Sequence, residues 1–367
     1  MFRGLFAWIN RRERHLSAAA MVGGFVFDSL YFGRIDDLWN TQIVFLAYAG
    51  ICLVSIPLLH FIEARGERTG RRPRWRGLLP IVTQFAFGGF WSGFLIFYAR
   101  SASLDASWPF LLVLVAIFLG NEILSRYHDR LVFASILFFF ALYSYAIFAL
   151  PIYTHSIGTL TFIGSSVVAT LVFALFTVLI RSLGRERFAT DLFRMRAGAV
   201  GVLVLITLFY FTNILPPLPL SAKAVGVYHS IDRVEGRYQA SEEIGRQSWQ
   251  ARAAAYLGRT PTLHIVAGDS AYAYSSIFAP TALSTIIIHR WQWLDRATGA
   301  WETRFALTYP ITGGADGGYH GYSAIIPKVE GSWRVSIETS DRRVIARLPF
   351  TVQFVDVSPT LETVTLP

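Results

Sequence analysis

Three groupings of residues in this 367-residue sequence could do chemistry. The first is Ser275 and Ser276 with His289 and Asp316, the residue types of a Ser-His-Asp hydrolase. A nucleophilic serine of the hydrolase-fold kind sits in a sharp Gly-x-Ser-x-Gly turn that exposes its hydroxyl, and neither serine is in one. The second grouping is His229, His264, His289 and His320. Zinc sites draw on short paired spacings of His and Cys; these histidines match none, and the only cysteine, Cys52, lies far away in an apolar run. No metal and no cofactor is expected. The run Gly313-Gly314-Ala315-Asp316-Gly317-Gly318 reads as a flexible turn rather than a phosphate cradle, because neither a helix nor Lys-Ser/Thr follows.

The third grouping is Asp28, Arg100, Tyr145 and Asn213, all toward the outer ends of apolar runs. An ionisable residue at that depth calls for a partner. One reading makes the four the rim of an outward-facing polar pocket. The other makes Asp28 and Arg100 a helix-pinning ion pair and the tyrosine part of an interfacial aromatic belt, and it needs no ligand. A further surface is marked by His289, Trp291, Tyr319, His320 and Tyr322, whose aromatic-polar mixture would suit a glycan or an extended peptide. The same residues are also ordinary filling for a small β domain.

Apolar residues make up 53% of the chain and charged residues 16%, below the ~25% usual for soluble domains. Seven stretches approach the length needed to cross ~30 Å of hydrocarbon: 17–33, 41–62, 78–99, 108–124, 131–150, 159–180 and 197–215. The first, interrupted by Asp28, is kept as a helix rather than a cleaved signal peptide, because no small-residue cleavage site follows Val26. Residues 1–16 form a basic cytoplasmic start whose first nine residues could also lie along the headgroups as an interfacial helix.

Arginine placement sets the orientation. The N-terminus and every second loop hold 17 arginines, from Arg3 to Arg196, and the alternate loops hold only Arg34 and Arg100. The N-terminus is therefore expected in the cytoplasm and, after seven crossings, the C-terminal domain outside. The net charge of +9 follows the same split. Residues 1–219 carry 19 arginines against 11 acidic residues, a net of +8, and residues 220–367 carry 14 basic against 13 acidic, a net of +1. The basic excess sits between apolar runs, so a nucleic-acid partner is not expected.

Pro216, Pro217 and Pro219 read as a stiff linker over 216–224. Beyond it the pattern turns to alternation. Thr285–Trp293 and Trp301–Tyr309 flank a turn at Asp295–Gly299, and Trp333–Glu338 and Val344–Phe354 flank another at Ser340–Arg342. In the third of these strands Trp333, Val335 and Ile337 share one face. Further strands are expected at 262–267, 271–278 and 318–326, and an amphipathic helix at 241–257. The expected fold is multi-domain. A seven-helix transmembrane bundle over 17–215 precedes an all-β, immunoglobulin-like sandwich of about seven strands over 225–356, with a tail at 357–367. No internal repeat marks a transporter.

Several of these segments resemble a known family. Ile288-His289-Arg290-Trp291, Gly318-Tyr319-His320-Gly321-Tyr322-Ser323, Gly331-Ser332-Trp333-Arg334-Val335 and Leu348-Pro349-Phe350-Thr351-Val352 are similar to the C-terminal module of bacterial membrane proteins grouped as domain of unknown function 2914. His320 and Gly321 stand where members often have Arg and a variable residue. Phe27–Leu30, Arg34–Asp36, Gln84–Gly88 and Ser101–Glu122 resemble membrane segments of the longer members. The resemblance implies a bacterial inner-membrane protein and supplies no catalytic residues. The leading expectation is a non-enzymatic protein in the lipid bilayer whose outer domain binds an envelope protein or glycan. The alternatives are a transporter or lipid-handling protein built around Asp28 and Arg100, and a membrane-embedded enzyme at the outer leaflet.

Overall fold

In the computed structural model, residues 38–101, 104–123, 131–184, 189–244, 260–280, 283–313 and 318–366 are described, with four isolated positions between 16 and 26. A helical unit ends at Leu218 and a β unit begins at Pro219.

The helical unit holds α1 (Leu38–Thr69), α2 (Leu78–Ser101), α3 (Leu104–Ile123), α4 (Leu131–Thr154), α5 (Thr159–Gly184) and α6 (Ala189–Phe211). Over their described residues five of them are long and apolar enough to cross a membrane, and α3 contributes a shorter apolar stretch, Ser107–Ile117. A helix of 24 residues such as α4 is about 36 Å long at ~1.5 Å per residue. Of the expected span 17–33 only the isolated positions Ala19, Gly23 and Val26 are described, and the described helices number six rather than seven.

Packing explains why such uniformly apolar helices hold a defined arrangement. Hydrocarbon offers no hydrophobic drive between helices, so close packing and interhelical hydrogen bonds must do the work. The hub is α4, whose apolar window is 83% buried, against 33% for α5 and 22% for α6. Its aromatic rings meet neighbours on several sides: Phe148 with Phe97 at 4.9 Å, Phe140 with Trp91 at 5.8 Å, Phe139 with Phe173 at 4.9 Å and Phe138 with Phe176 at 5.1 Å. Gly89 of α2 is required where it stands, because a Cβ there would collide with the Tyr48 ring of α1. The same helix pair is tied by Thr83 Oγ1 and Ser55 Oγ at 2.7 Å.

The outer faces are apolar as well. On α5, Leu160, Ile163, Val167, Leu171, Leu175 and Val178 form an exposed stripe at helical spacing, and Val200, Val204, Leu208 and Phe211 do so on α6. An outward stripe of that kind suits lipid. These helices have the length, composition and surface of a membrane protein.

The β unit holds β1 (Ser221–Tyr228), β2 (Ser230–Val234), β3 (Arg237–Glu243), β4 (Thr262–Val266), β5 (Ala271–Phe278), β6 (Ser284–Leu294), β7 (Trp301–Thr312), β8 (Tyr319–Ile325), β9 (Gly331–Thr339), β10 (Val344–Val355) and β11 (Leu361–Thr365). They form sheets of order β1-β5-β8, β4-β10-β9-β6-β7 and β11-β3-β2. All pairings are antiparallel except β4 with β10. The first two sheets share one core. Val227, Ala271 and Ala273 meet Leu263, Ile265, Trp291, Trp333, Val335, Phe350 and Val352. The third sheet joins through Ile231, Ala240 and Leu366 packed with Tyr274 of β5.

Among the described residues eleven strands in three sheets stand where about seven in a two-sheet sandwich are expected. The unforeseen strands β1, β2, β3 and β11 each carry at least one charged residue and are only partly buried, so their apolar signal is weak. The linker is shorter than 216–224, since β1 starts at Ser221, and the tail is structured, since β11 pairs with β3. Of the helix expected at 241–257, Ser241–Glu243 is the end of β3, and 245–259 lie outside the described residues.

Candidate functional site

A groove of about 460 Å³ opens on the β unit between the β2–β3 hairpin and the start of β8. It is lined by Arg233, Gly236, Arg237, Tyr238, Gly318, Tyr319, His320 and Leu366. The hairpin turns through Glu235 at φ 50° and Gly236 at φ 80°, the two left-handed residues of a two-residue loop whose twist matches its strands. That turn pairs Arg233 with Tyr238 across the strands and sets the guanidinium 5.7 Å from the ring centroid. Asp232, its neighbour on β2, points to the other face because strand side chains alternate.

Tyr238 is the centre of a ring cluster, 5.6 Å from His320, 5.7 Å from Tyr274 and 6.2 Å from Tyr322. Tyr274 Oη lies 2.5 Å from His320 Nδ1. Partial burial, with Arg233 and Lys223 nearby, lowers the His320 pKa, so the ring is neutral at neutral pH. Among the described residues neither Arg233 nor Arg237 has a carboxylate partner. Arg233 beside the Tyr238 ring, with Arg237 also in the lining, makes a site for an anion or an acceptor-rich ligand.

The surface expected from the sequence is only half present. Tyr319 and Tyr322 are exposed, and His320 is half-buried in the groove. His289 and Trp291 are instead fully buried between the β1-β5-β8 and β4-β10-β9-β6-β7 sheets. The reason is register: Ile287, His289 and Trp291 alternate onto the inner face of β6.

There they form a closed network. His289 Nε2 is 2.9 Å from Ser275 Oγ and 3.1 Å from Tyr309 Oη, and its Nδ1 is 3.0 Å from Ser323 Oγ. Ser275 Oγ is 2.8 Å from Tyr309 Oη, and Trp291 Nε1 donates to Ser323 Oγ at 2.9 Å. Every polar atom here has a partner, which is what burial of such groups demands. Burial lowers the His289 pKa to about 4 and raises that of Tyr309 to about 12, so both are neutral. The Ser-His pair of the hydrolase grouping does meet, but Ser275 is fully buried and the second ring nitrogen faces a serine, so no nucleophile is presented. Asp316 lies outside the described residues. The network ties β5 and β8 of one sheet to β6 and β7 of the other.

The other histidines also have structural partners. Glu243 accepts from the His264 backbone N–H at 2.8 Å, and lies 2.9 Å from His264 Nδ1 and 3.2 Å from His229 Nε2. These hydrogen bonds hold its carboxyl below the usual range against the opposing effect of burial, which is the largest single influence on it. No group able to hold a metal ion occurs among the described residues.

The intramembrane grouping does not assemble among the described side chains. Asp28 is outside them, and of Arg100 only the backbone, at the end of α2, is described. Tyr145 donates to Gln42 Oε1 at 2.7 Å, a buried tie between α4 and α1. Asn213 sits at φ 59° just past α6. Its N–H reaches Tyr210 O at 3.1 Å and the next N–H reaches Phe209 O at 2.9 Å, the pattern that closes a helix on a left-handed residue. A cavity of about 20 Å³ between α1, α2 and α4, lined by His60, Thr83 and Gln84, has room for about one water and none for a solute.

Sequence reasoning missed Arg233, Arg237, Tyr238 and Leu366. The available signal was Glu235-Gly236 between two alternating segments, a hairpin turn that brings Arg233 opposite Tyr238.

No curated protein and no solved structure matches the chain. One family profile does, and its range runs from the first residue of β6 to within β10. It therefore takes in His289, Trp291 and Ser323 of the buried network, Trp333, Val335, Phe350 and Val352 of the core, and Tyr319 and His320 of the groove. Residues 284–352, in the C-terminal β region of a chain with apolar helices, match the model of the family described as protein of unknown function (DUF2914).

Proposed function

We propose that this chain is a multi-pass protein of the bacterial cytoplasmic membrane, with its N-terminus inside, that displays its β unit outside as a non-enzymatic binding module for an envelope protein or glycan. The observation that carries the reading is the groove, where Arg233 lies against Tyr238 and neither it nor Arg237 has a carboxylate partner among the described residues, with Tyr319 and His320 completing the lining. The orientation rests on the 17-to-2 arginine split. It also rests on counting seven crossings, from the six described helices and the apolar stretch 17–33. The facing of the three- and five-stranded sheets over one core supports a sandwich as the displayed scaffold.

Site-specific photo-crosslinking in intact cells tests the binding role. A photoreactive residue in place of Tyr319 is expected to give discrete adducts that disappear when Arg233→Gln and Arg237→Gln are added. The same residue in place of Thr298, exposed in the β6–β7 turn, is expected to give none. Equal adducts at both positions, or none at 319, would contradict the groove as the binding site.

A further inference from the structure

The charged part of the groove's lining, among the described residues, consists of donors. Arg233 and Arg237 donate and cannot accept. Tyr274 Oη and His320 Nδ1 share a hydrogen bond, so a ligand would meet the ring at Nε2. Among the described residues no Asp or Glu lines the groove, and Asp232 on β2 faces away. A ligand that satisfies this lining must be rich in acceptors and negatively charged.

Shape narrows the class further. A volume of about 460 Å³ falls in the range of small-molecule sites, ~300–1,000 Å³. Tyr238, Tyr319 and His320 present flat faces with polar tips, and Leu366 is the one aliphatic side chain in the lining. A bound peptide draws its affinity from apolar anchors seated in pockets, and this lining has no such pockets. The flat faces and the donors suit a ring whose rim carries hydroxyl and acidic oxygens.

Resting on the proposal that the groove is a binding site, we infer that its ligand is an acidic carbohydrate, one or two sugar units bearing carboxylate or phosphate. The charge is met by Arg233 and Arg237, and the ring lies against Tyr238 and Tyr319.

The test is calorimetric titration of the full-length protein in lipid nanodiscs with four probes: a uronic-acid disaccharide, its methyl ester, an acidic hexapeptide and inorganic phosphate. The uronate is expected to bind, the ester about tenfold or more weakly, and added salt to weaken the uronate alone. Arg233→Gln with Arg237→Gln is expected to cost the uronate at least about tenfold, the loss of a charge-assisted hydrogen bond. Tyr238→Ala is expected to weaken uronate and ester alike. Both arginines are exposed, so unchanged thermal unfolding verifies that their variants fold.

Equal affinity for uronate and ester, or indifference to the arginine variants, overturns the charge assignment. Phosphate binding as tightly as the uronate, with Tyr238→Ala silent, overturns the sugar assignment in favour of a simple anion site. A hexapeptide preferred over the uronate overturns it in favour of an acidic peptide. Failure of all four probes overturns the ligand class, while the crosslinking at Tyr319 decides separately whether the groove binds anything.

Discussion

Trp291→Ala is expected to destabilise the β unit by about 3–5 kcal/mol, the cost of emptying a fully packed aromatic site. Trp291 has no exposed surface, meets Phe350 edge-on at 6.0 Å and shares its core with Trp333, Val335 and Val352. Its indole N–H also donates to Ser323, so alanine removes a hydrogen bond from the His289 network as well as leaving a cavity. A domain stable by ~5–15 kcal/mol is left marginal by such a loss. Trp301→Ala is the contrast. Trp301 is half-buried beside the Arg334 guanidinium, 4.2 Å from the ring centroid, a contact worth about 0.5–1 kcal/mol. Pulse proteolysis of the detergent-solubilised protein across a urea gradient measures both. Similar shifts for the two variants would show that Trp291 is not the core residue described.

The second large effect is acid destabilisation through His289. Its folded pKa, about 4, lies below the ordinary 6.5 because burial disfavours the charged ring. Between these values the unfolded state holds a proton that the folded state does not, so stability falls as pH falls. The contribution is fully present above about pH 6.5, declines by ~1.4 kcal/mol per pH unit, and levels off below about pH 4. The total is about 3 kcal/mol. The lowered pKa of His320 acts with the same sign. Glu243, also lowered, adds a further loss at more acid pH as its carboxylate is protonated. His289→Gln is expected to lower stability at pH 7.5 and to flatten the decline between pH 6.5 and 4. Urea midpoints at four pH values for both proteins check this, and an unchanged slope in the variant would refute the assignment.

These two residues also show what the sequence could and could not reveal. Ile287, His289 and Trp291 share a period of two with Trp333, Val335 and Ile337 on the neighbouring strand, so the inward face of β6 was legible. Reading His289 and Trp291 as surface residues gave weight to residue type over register. The segments that resemble the family hold mainly packing and network residues, with Tyr319 and His320 in the groove.

The membrane helices were legible because a bilayer enforces length and apolarity, conditions a single segment meets by itself. The burial of α4 was not, because a helix apolar on every side does not say which face meets protein and which meets lipid. The groove was hidden for another reason. Arg233, Tyr238, Tyr319, His320 and Leu366 come from four chain segments separated by up to about 130 residues, and two of those segments are polar strands with little pattern. Only the sheet pairings bring them together.

Labelling of the groove from outside tests the central claim, that the bundle holds this β unit on the outer face of the membrane. In a Cys52→Ser background, Tyr319→Cys introduces the only thiol, at an exposed groove position. A membrane-impermeant maleimide is expected to label it fully in right-side-out vesicles and not in sealed inverted ones; labelling only in inverted or permeabilised vesicles would contradict the claim.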